Sequence, residues 1–134
     1  MPCMISKFDI GDKKIFERVV RQEDSASFEG NNVHPVYATF AVTRDAEWCS
    51  RLFVLEMKEE NEEGIGTFVN VKHVSPALIG ETVLYEAVLD EEKGNEVNCR
   101  FIAKIGERII AEGRTGQKIL LKEKIEKLFD SLKK

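Results

Sequence analysis

The apolar residues of this chain keep a helical period once and strand-like composition several times, and that switch constrains the fold more than any other feature. From Thr43 to Lys58 (TRDAEWCSRLFVLEMK), Ala46, Cys49, Phe53 and Met57 recur at helical spacing, which puts them on one stripe of a helix. Thr43 is the expected N-cap, and Asp45 complements the positive end of the helix dipole. Downstream, Ile65 to Val74, Glu81 to Leu89, Glu96 to Ile105 and Arg108 to Leu121 are rich in β-branched or aromatic residues. Turn signals at 75–80, 91–95 and Gly106-Glu107 split them, so they read as four consecutive antiparallel strands.

Lys13 to Val20 reads as a first strand after the Gly11-Asp12 turn, and Gln22 to Pro35 as a polar loop around Gly30-Asn31-Asn32. The acidic run Glu59 to Glu63 reads as a solvated loop ended by Gly64. Lys122 to Lys133, with Leu121, Ile125, Leu128 and Leu132 at helical spacing, reads as a short amphipathic helix covering core or a partner. The order predicts an α+β fold, an antiparallel β-sheet wrapped around one long central helix with a short C-terminal helix. At 134 residues the expectation is a single domain over 1–134. An open sheet edge is protected most simply by a second copy, so a homodimer is expected.

Composition removes several classes of function. A net charge of -4 gives no positive field for nucleic acid or for an anionic membrane surface. The apolar runs are far shorter than the ~20 residues of a membrane helix. The N-terminus lacks a signal-peptide apolar region, so the expected location is cytoplasmic. Cys3, Cys49 and Cys99 are odd in number without a C-x-x-C spacing, and His34 and His73 are the two histidines; neither a zinc site nor a disulfide framework is expected.

Three side-chain types suited to hydrolysis occur at scattered positions. Glu47 lies beside the buried stripe of the long helix, where a carboxylate serves as base or as helix-dipole partner. His73 shares a strand face with Val69 and Val71, opposite Phe68, Asn70, Lys72 and Val74, and an imidazole there transfers protons or fixes structure. Thr39 enters the helix, where its hydroxyl caps backbone or holds a reacting group. Gly64-Ile65-Gly66 is a turn, or a place where backbone N–H groups approach a carbonyl oxygen. There is no dinucleotide fingerprint, Walker A loop, G-x-S-x-G elbow or H-E-x-x-H helix.

Together these residues resemble the hotdog-fold acyl-CoA thioesterases, of the fluoroacetyl-CoA thioesterase type. The resemblance runs over about residues 10 to 120. It is carried by Val36-Tyr37-Ala38-Thr39-Phe40, by Glu47, and by Glu62-Glu63-Gly64-Ile65-Gly66 leading to Val69-Asn70-Val71-Lys72-His73. Pro76, Gly80-Glu81-Thr82-Val83 and Ile110-Ala111-Glu112-Gly113-Arg114-Thr115 complete it. It implies a hotdog fold, a catalytic trio of Thr39, Glu47 and His73, Gly66 in the pocket, and sites built across a dimer interface.

It further implies an acyl-CoA substrate and neither metal nor cofactor. The family's fluoroacetate-selective pattern has an aromatic gate before the Thr, where this chain has Val33. The implied activity is therefore the broader one, hydrolysis of a small or medium acyl-CoA. Arg44, Arg51 or Arg114 could meet the phosphates of coenzyme A. Rival readings are a non-catalytic acyl-CoA or lipid-like ligand-binding module and a hotdog dehydratase or acyl-carrier-protein enzyme.

Overall fold

The computed structural model describes residues 8–133; Cys3 and the N-terminal segment read above for a signal peptide lie outside the described residues. The elements are β1 (Lys13–Val19), a 3-10 turn (Gln22–Asp24), β2 (Ser25–Phe28), β3 (Asn31–Tyr37), α1 (Thr39–Met57), β4 (Glu62–His73), β5 (Thr82–Lys93), β6 (Glu96–Ile105), β7 (Arg108–Leu121) and α2 (Lys122–Leu132). Five strands form an antiparallel sheet in the order β1-β5-β6-β7-β4, and β2 pairs with β3 in a separate ribbon. The strand β4 is therefore an edge.

The long helix lies on one face of this sheet because both surfaces are patterned for it. Its buried residues are Ala41, Val42, Asp45, Ala46, Cys49, Ser50, Phe53, Val54 and Met57, pairs recurring every four residues and drawing one wide stripe. Alternate residues of the strands meet it: Val83, Tyr85, Ala87 and Leu89 of β5, and Val97, Cys99, Phe101 and Ala103 of β6. Small residues on both sides let helix and sheet approach closely. Each large apolar side chain taken out of water here, such as Phe53 or Leu89, contributes about 1.5–3 kcal/mol. Cys49 and Cys99 are free thiols buried in this layer. Burial pushes the first up to about 11 and the second up to about 12, so both stay protonated and inert.

Four local expectations need correction. The helix begins at Thr39, not at Thr43, with Ala38 as its cap residue. The start is fixed by tertiary partners: the Tyr37 N–H donates to the Ala77 carbonyl and the Ala38 N–H to that of Asp24, both at 2.8 Å. Thr43 consequently sits inside the helix, its hydroxyl donating to the Thr39 carbonyl at 2.9 Å. Residues 22–35 are a 3-10 turn and a ribbon, not a loop. Phe28 pairs with Asn31 across Glu29 (φ 52) and Gly30 (φ 82), a two-residue turn with both central residues left-handed.

The acidic run is only partly solvated. Glu62 is fully buried, its carboxylate accepting the Glu59 N–H at 2.8 Å, and it opens β4. Finally, the sheet is not a single one, because the β2–β3 ribbon stands apart from the five strands. The C-terminal helix forms as expected but buries none of its residues; Leu128, Phe129 and Leu132 face outward. No helix among the described residues is long and apolar enough to cross a membrane.

Candidate active site

The edge strand and the helix it borders carry the residues singled out by sequence. A bulge between Gly66 and Phe68 leaves Thr67 without a partner on β7 and resets the alternation of the strand. On one side of the bulge, a Cβ at Gly64 would meet Val54 and Arg51, and a Cβ at Gly66 would meet Glu47, so both glycines face α1. On the other side Val69, Val71 and His73 are half-buried while Asn70 and Lys72 are exposed. The period-two reading of this strand therefore holds beyond the bulge.

Two close pairs result. Thr39, at the first position of α1, places its hydroxyl 3.0 Å from Nδ1 of His73. The His73 Nε2 is buried and has no hydrogen-bond partner among the described residues. Burial holds this imidazole below its ordinary titration range, so the ring is neutral at pH 7 and able to take a proton. A hollow of about 260 Å³ opens beside it, lined by Val36, Thr39, His73, Val74, Ser75 and Pro76.

Two turns further along the helix, Glu47 lies against Gly66. A side chain at residue 66 would stand 2.7 Å from Oε2, so glycine is what gives the carboxylate its seat. No hydrogen bond or ion pair reaches that carboxylate from the described residues. It faces a second hollow of about 320 Å³, shared with Gly66, Thr67, Phe68 and Val69. At 1.5 Å per residue, eight residues of helix put the two pairs about 12 Å apart along the axis. The fold thus brings Thr39 to His73 and Glu47 to Gly66, but within one chain does not bring the pairs to each other.

The other two candidates lie elsewhere. Val33 is exposed on β3, in the ribbon that leads into Thr39. Arg114 pairs across the sheet with Asn70 and Arg100 on the face turned away from α1. There its guanidinium donates to Asp90 at 2.7 Å. Arg114 is therefore not brought to either pair: side chains alternate along β7, and its position falls on the outer set.

The structure adds residues that sequence reasoning did not find. Asp45, read as a dipole partner, is buried beneath α1. It accepts from Arg18 at 3.0 and 3.1 Å, from Arg44 at 2.9 and 3.0 Å, and from the Tyr37 hydroxyl. Tyr85 in turn donates to Tyr37. Asp24 joins through Arg21 and Arg44. Burial would raise both carboxylates, but the hydrogen bonds from the arginines outweigh it and hold them below the usual range. This network pins α1 to β1 and β5 between Thr39 and Glu47. Phe28, an isolated aromatic in a polar stretch, packs edge-on against Phe40 with centroids 6.3 Å apart, next to Thr39. The signal for Asp45 was its place within the helical stripe, where an acid needs partners.

Comparisons with known proteins identify the family and the fold. The family model for FlK, fluoroacetyl-CoA-specific thioesterase, matches residues 20–123. Among curated protein sequences none matches. Among solved structures, a Thermus thermophilus hypothetical protein, TTHA0967, a thioesterase superfamily member, is 38% identical with a TM-score of 0.90, over 96% of this chain and 95% of that one. The fluoroacetyl-CoA thioesterase FlK is 22% identical with a TM-score of 0.86, over 95% and 98%. A hot-dog-like protein from Thermanaerovibrio acidaminovorans is 17% identical with a TM-score of 0.84, over 95% of each chain. The last two likenesses speak to the fold.

Proposed function

Starting from the chain's membership of the fluoroacetyl-CoA thioesterase family, which makes it a thioester hydrolase, we propose that it cleaves a small or medium acyl-CoA to the free acid and coenzyme A. In this reading two copies of the chain build each active site. The observation that carries it is the complementary incompleteness of the two pairs. Among the described residues, Glu47 is a carboxylate without a partner on a glycine seat, and His73 has a buried Nε2 without a hydrogen-bond partner. His73 lies on β4 and Glu47 on α1 beside it, and β4 is an edge strand of the five-stranded sheet.

An antiparallel pairing of β4 with a second copy, two-fold symmetric about Asn70, supplies what each pair lacks. That register sets Asn70 against the partner's Asn70 and Val71 against the partner's Val69. His73 then falls opposite the bulge of the partner subunit, beside the partner's Glu47. The bulge absorbs one residue, so His73 and Gly66 share a face in this pairing as antiparallel neighbours must.

Chemistry follows from the groups so assembled. Glu47 takes a proton from water as its oxygen adds to the thioester carbonyl carbon, or its own oxygen adds to give a mixed anhydride that water then opens. In either route the carbonyl π electrons move to oxygen, and backbone N–H groups at the bulge, where Thr67 is unpaired with β7, meet the oxyanion. The C–S bond breaks when the carbonyl re-forms. The His73 and Thr39 pair relays to the coenzyme A thiolate the proton that Glu47 took from water or, on the anhydride route, the proton that water releases as it opens the anhydride. Glu47 thus ends as the carboxylate and His73 as the neutral ring. Phe28, Phe40 and Val33 supply the apolar surface along which a short acyl chain lies.

The test is thiol release from a panel of short to long acyl-CoAs by the wild type and Glu47→Gln. Turnover on short and medium chains that falls at least ~100-fold in the variant is expected. Equal turnover by both proteins, or turnover confined to long chains, would overturn the proposal.

A further inference from the structure

Arg51 lies four residues after Glu47 on α1, one turn along and on the same side. A glutamate followed by a cation at this spacing is the favoured orientation for an ion pair along a helix, and that pair would tie up the carboxylate. The structure shows the other outcome. The Arg51 guanidinium donates to Glu63 Oε1 at 2.7 Å and to the Gly64 carbonyl at 3.4 Å. Glu47 is left without a partner among the described residues.

Three features hold the guanidinium there. Glu63 is itself fixed, accepting the Gly64 N–H at 3.0 Å, with the Lys58 ammonium 3.9 Å from its other oxygen. Gly64 leaves the room Arg51 occupies, since a Cβ there would lie 2.6 Å from Val54 and 3.2 Å from Nη1. The alternation of β4 then sets Gly64 under Arg51 and Gly66 under Glu47, about 7 Å apart. The run Glu62-Glu63-Gly64-Ile65-Gly66 therefore seats two opposite charges in adjacent places.

Resting on the reading of Glu47 as base or nucleophile, we propose that Glu63 is a positioning residue that withholds Arg51 from Glu47 and so keeps the reacting carboxylate unpaired. An arginine that closed on Glu47 would lower its basicity and occupy the oxygens that must reach water or the thioester.

Glu63→Ala frees the guanidinium to make the helix pair. The expected result is a kcat about tenfold lower on the best acyl-CoA with KM within about twofold. Adding Arg51→Gln to that variant removes the intruding charge, and kcat should return to within about threefold of wild type. A merely structural ion pair behaves otherwise, because deleting its second member restores nothing. Wild-type kcat in Glu63→Ala, or a loss that Arg51→Gln does not relieve, would overturn the proposal. The Glu47→Gln control separates the two questions. If that variant turns over like wild type, the catalytic reading itself has failed, whatever the Glu63 series shows.

Discussion

Gly66→Ala isolates the seat of Glu47 from the stability of the fold. An added Cβ would stand 2.7 Å from Oε2 and 3.4 Å from Cδ of Glu47. Restoring ordinary contact of 3.4 Å to the oxygen moves it by about 0.7 Å, and the atom that yields is the end of a rotatable side chain, not backbone. A displacement near 1 Å costs on the order of 100-fold in a positioned reaction, so kcat should fall by about 10- to 100-fold, or about 1.4–2.8 kcal/mol of barrier. The backbone pays little, because Gly66 is not among the residues with positive φ. At such a site alanine stabilises by about 0.4–1 kcal/mol through the unfolded chain. The assay is steady-state thiol release beside a thermal melt, with Tm unchanged or a few degrees higher as turnover falls. Turnover within twofold of wild type would show that Glu47 needs no glycine seat, and a loss that merely tracks a lowered Tm would show that the fold and not the seat had suffered.

Other perturbations probe separate parts of the account. Gly113→Ala drives a Cβ to 1.8 Å from the Asn70 carbonyl oxygen, where backbone must move; Tm should drop sharply in a melt, and a wild-type melt would contradict the packing. Asp45→Asn removes the charge that Arg18 and Arg44 share, and chemical denaturation should show a loss of about 3 kcal/mol. Because Asp24 and Asp45 are held below their unfolded values, their stabilisation is complete above about pH 4 and is lost as pH falls further. Melts from pH 7 to 2 should therefore decline in the acid, less steeply in Asp45→Asn, and equal slopes would count against it. Asn70→Cys places a thiol on the proposed two-fold axis, where Cα atoms about 4.5–5.5 Å apart suit a disulfide. Non-reducing gels should show a dimer band under mild oxidation, and none should form if β4 edges do not meet.

What the sequence disclosed and what it hid have physical causes. The helix stripe and the four downstream strands were legible because each buries one face, so burial imprints a period on the residues themselves. The β2–β3 ribbon was not legible, since its residues are mostly exposed and its turn is Glu29-Gly30 rather than an Asn-Gly or Asp-Gly pair. The helix start was misplaced by a turn because it is set by carbonyls of Asp24 and Ala77, distant partners that no local signal announces. Glu62 and Glu63 looked like part of a solvated run. One is buried and the other holds Arg51, and only the packing of β4 beside α1 tells them apart from Glu59 and Glu60.

By resemblance, Thr39, Glu47, His73 and Gly66 were legible as candidates. Their distribution into two pairs was not, because it depends on a helix rising 1.5 Å per residue beside a strand rising about 3.3 Å. Arg114 stands on the outer face of the sheet for a local reason: one position along β7 decides which face a side chain takes.

A heterodimer of two inactive chains shows whether one active site draws on both copies. Glu47→Gln and His73→Ala, co-expressed with different affinity tags and purified through both, leave one site with an intact Glu47 from one chain and an intact Thr39 and His73 from the other. If each site is shared, the mixed dimer should release coenzyme A at about half the wild-type rate per dimer while each parent is nearly inactive. A mixed dimer as inactive as its parents would show that the three residues do not meet across two chains, and would contradict the account.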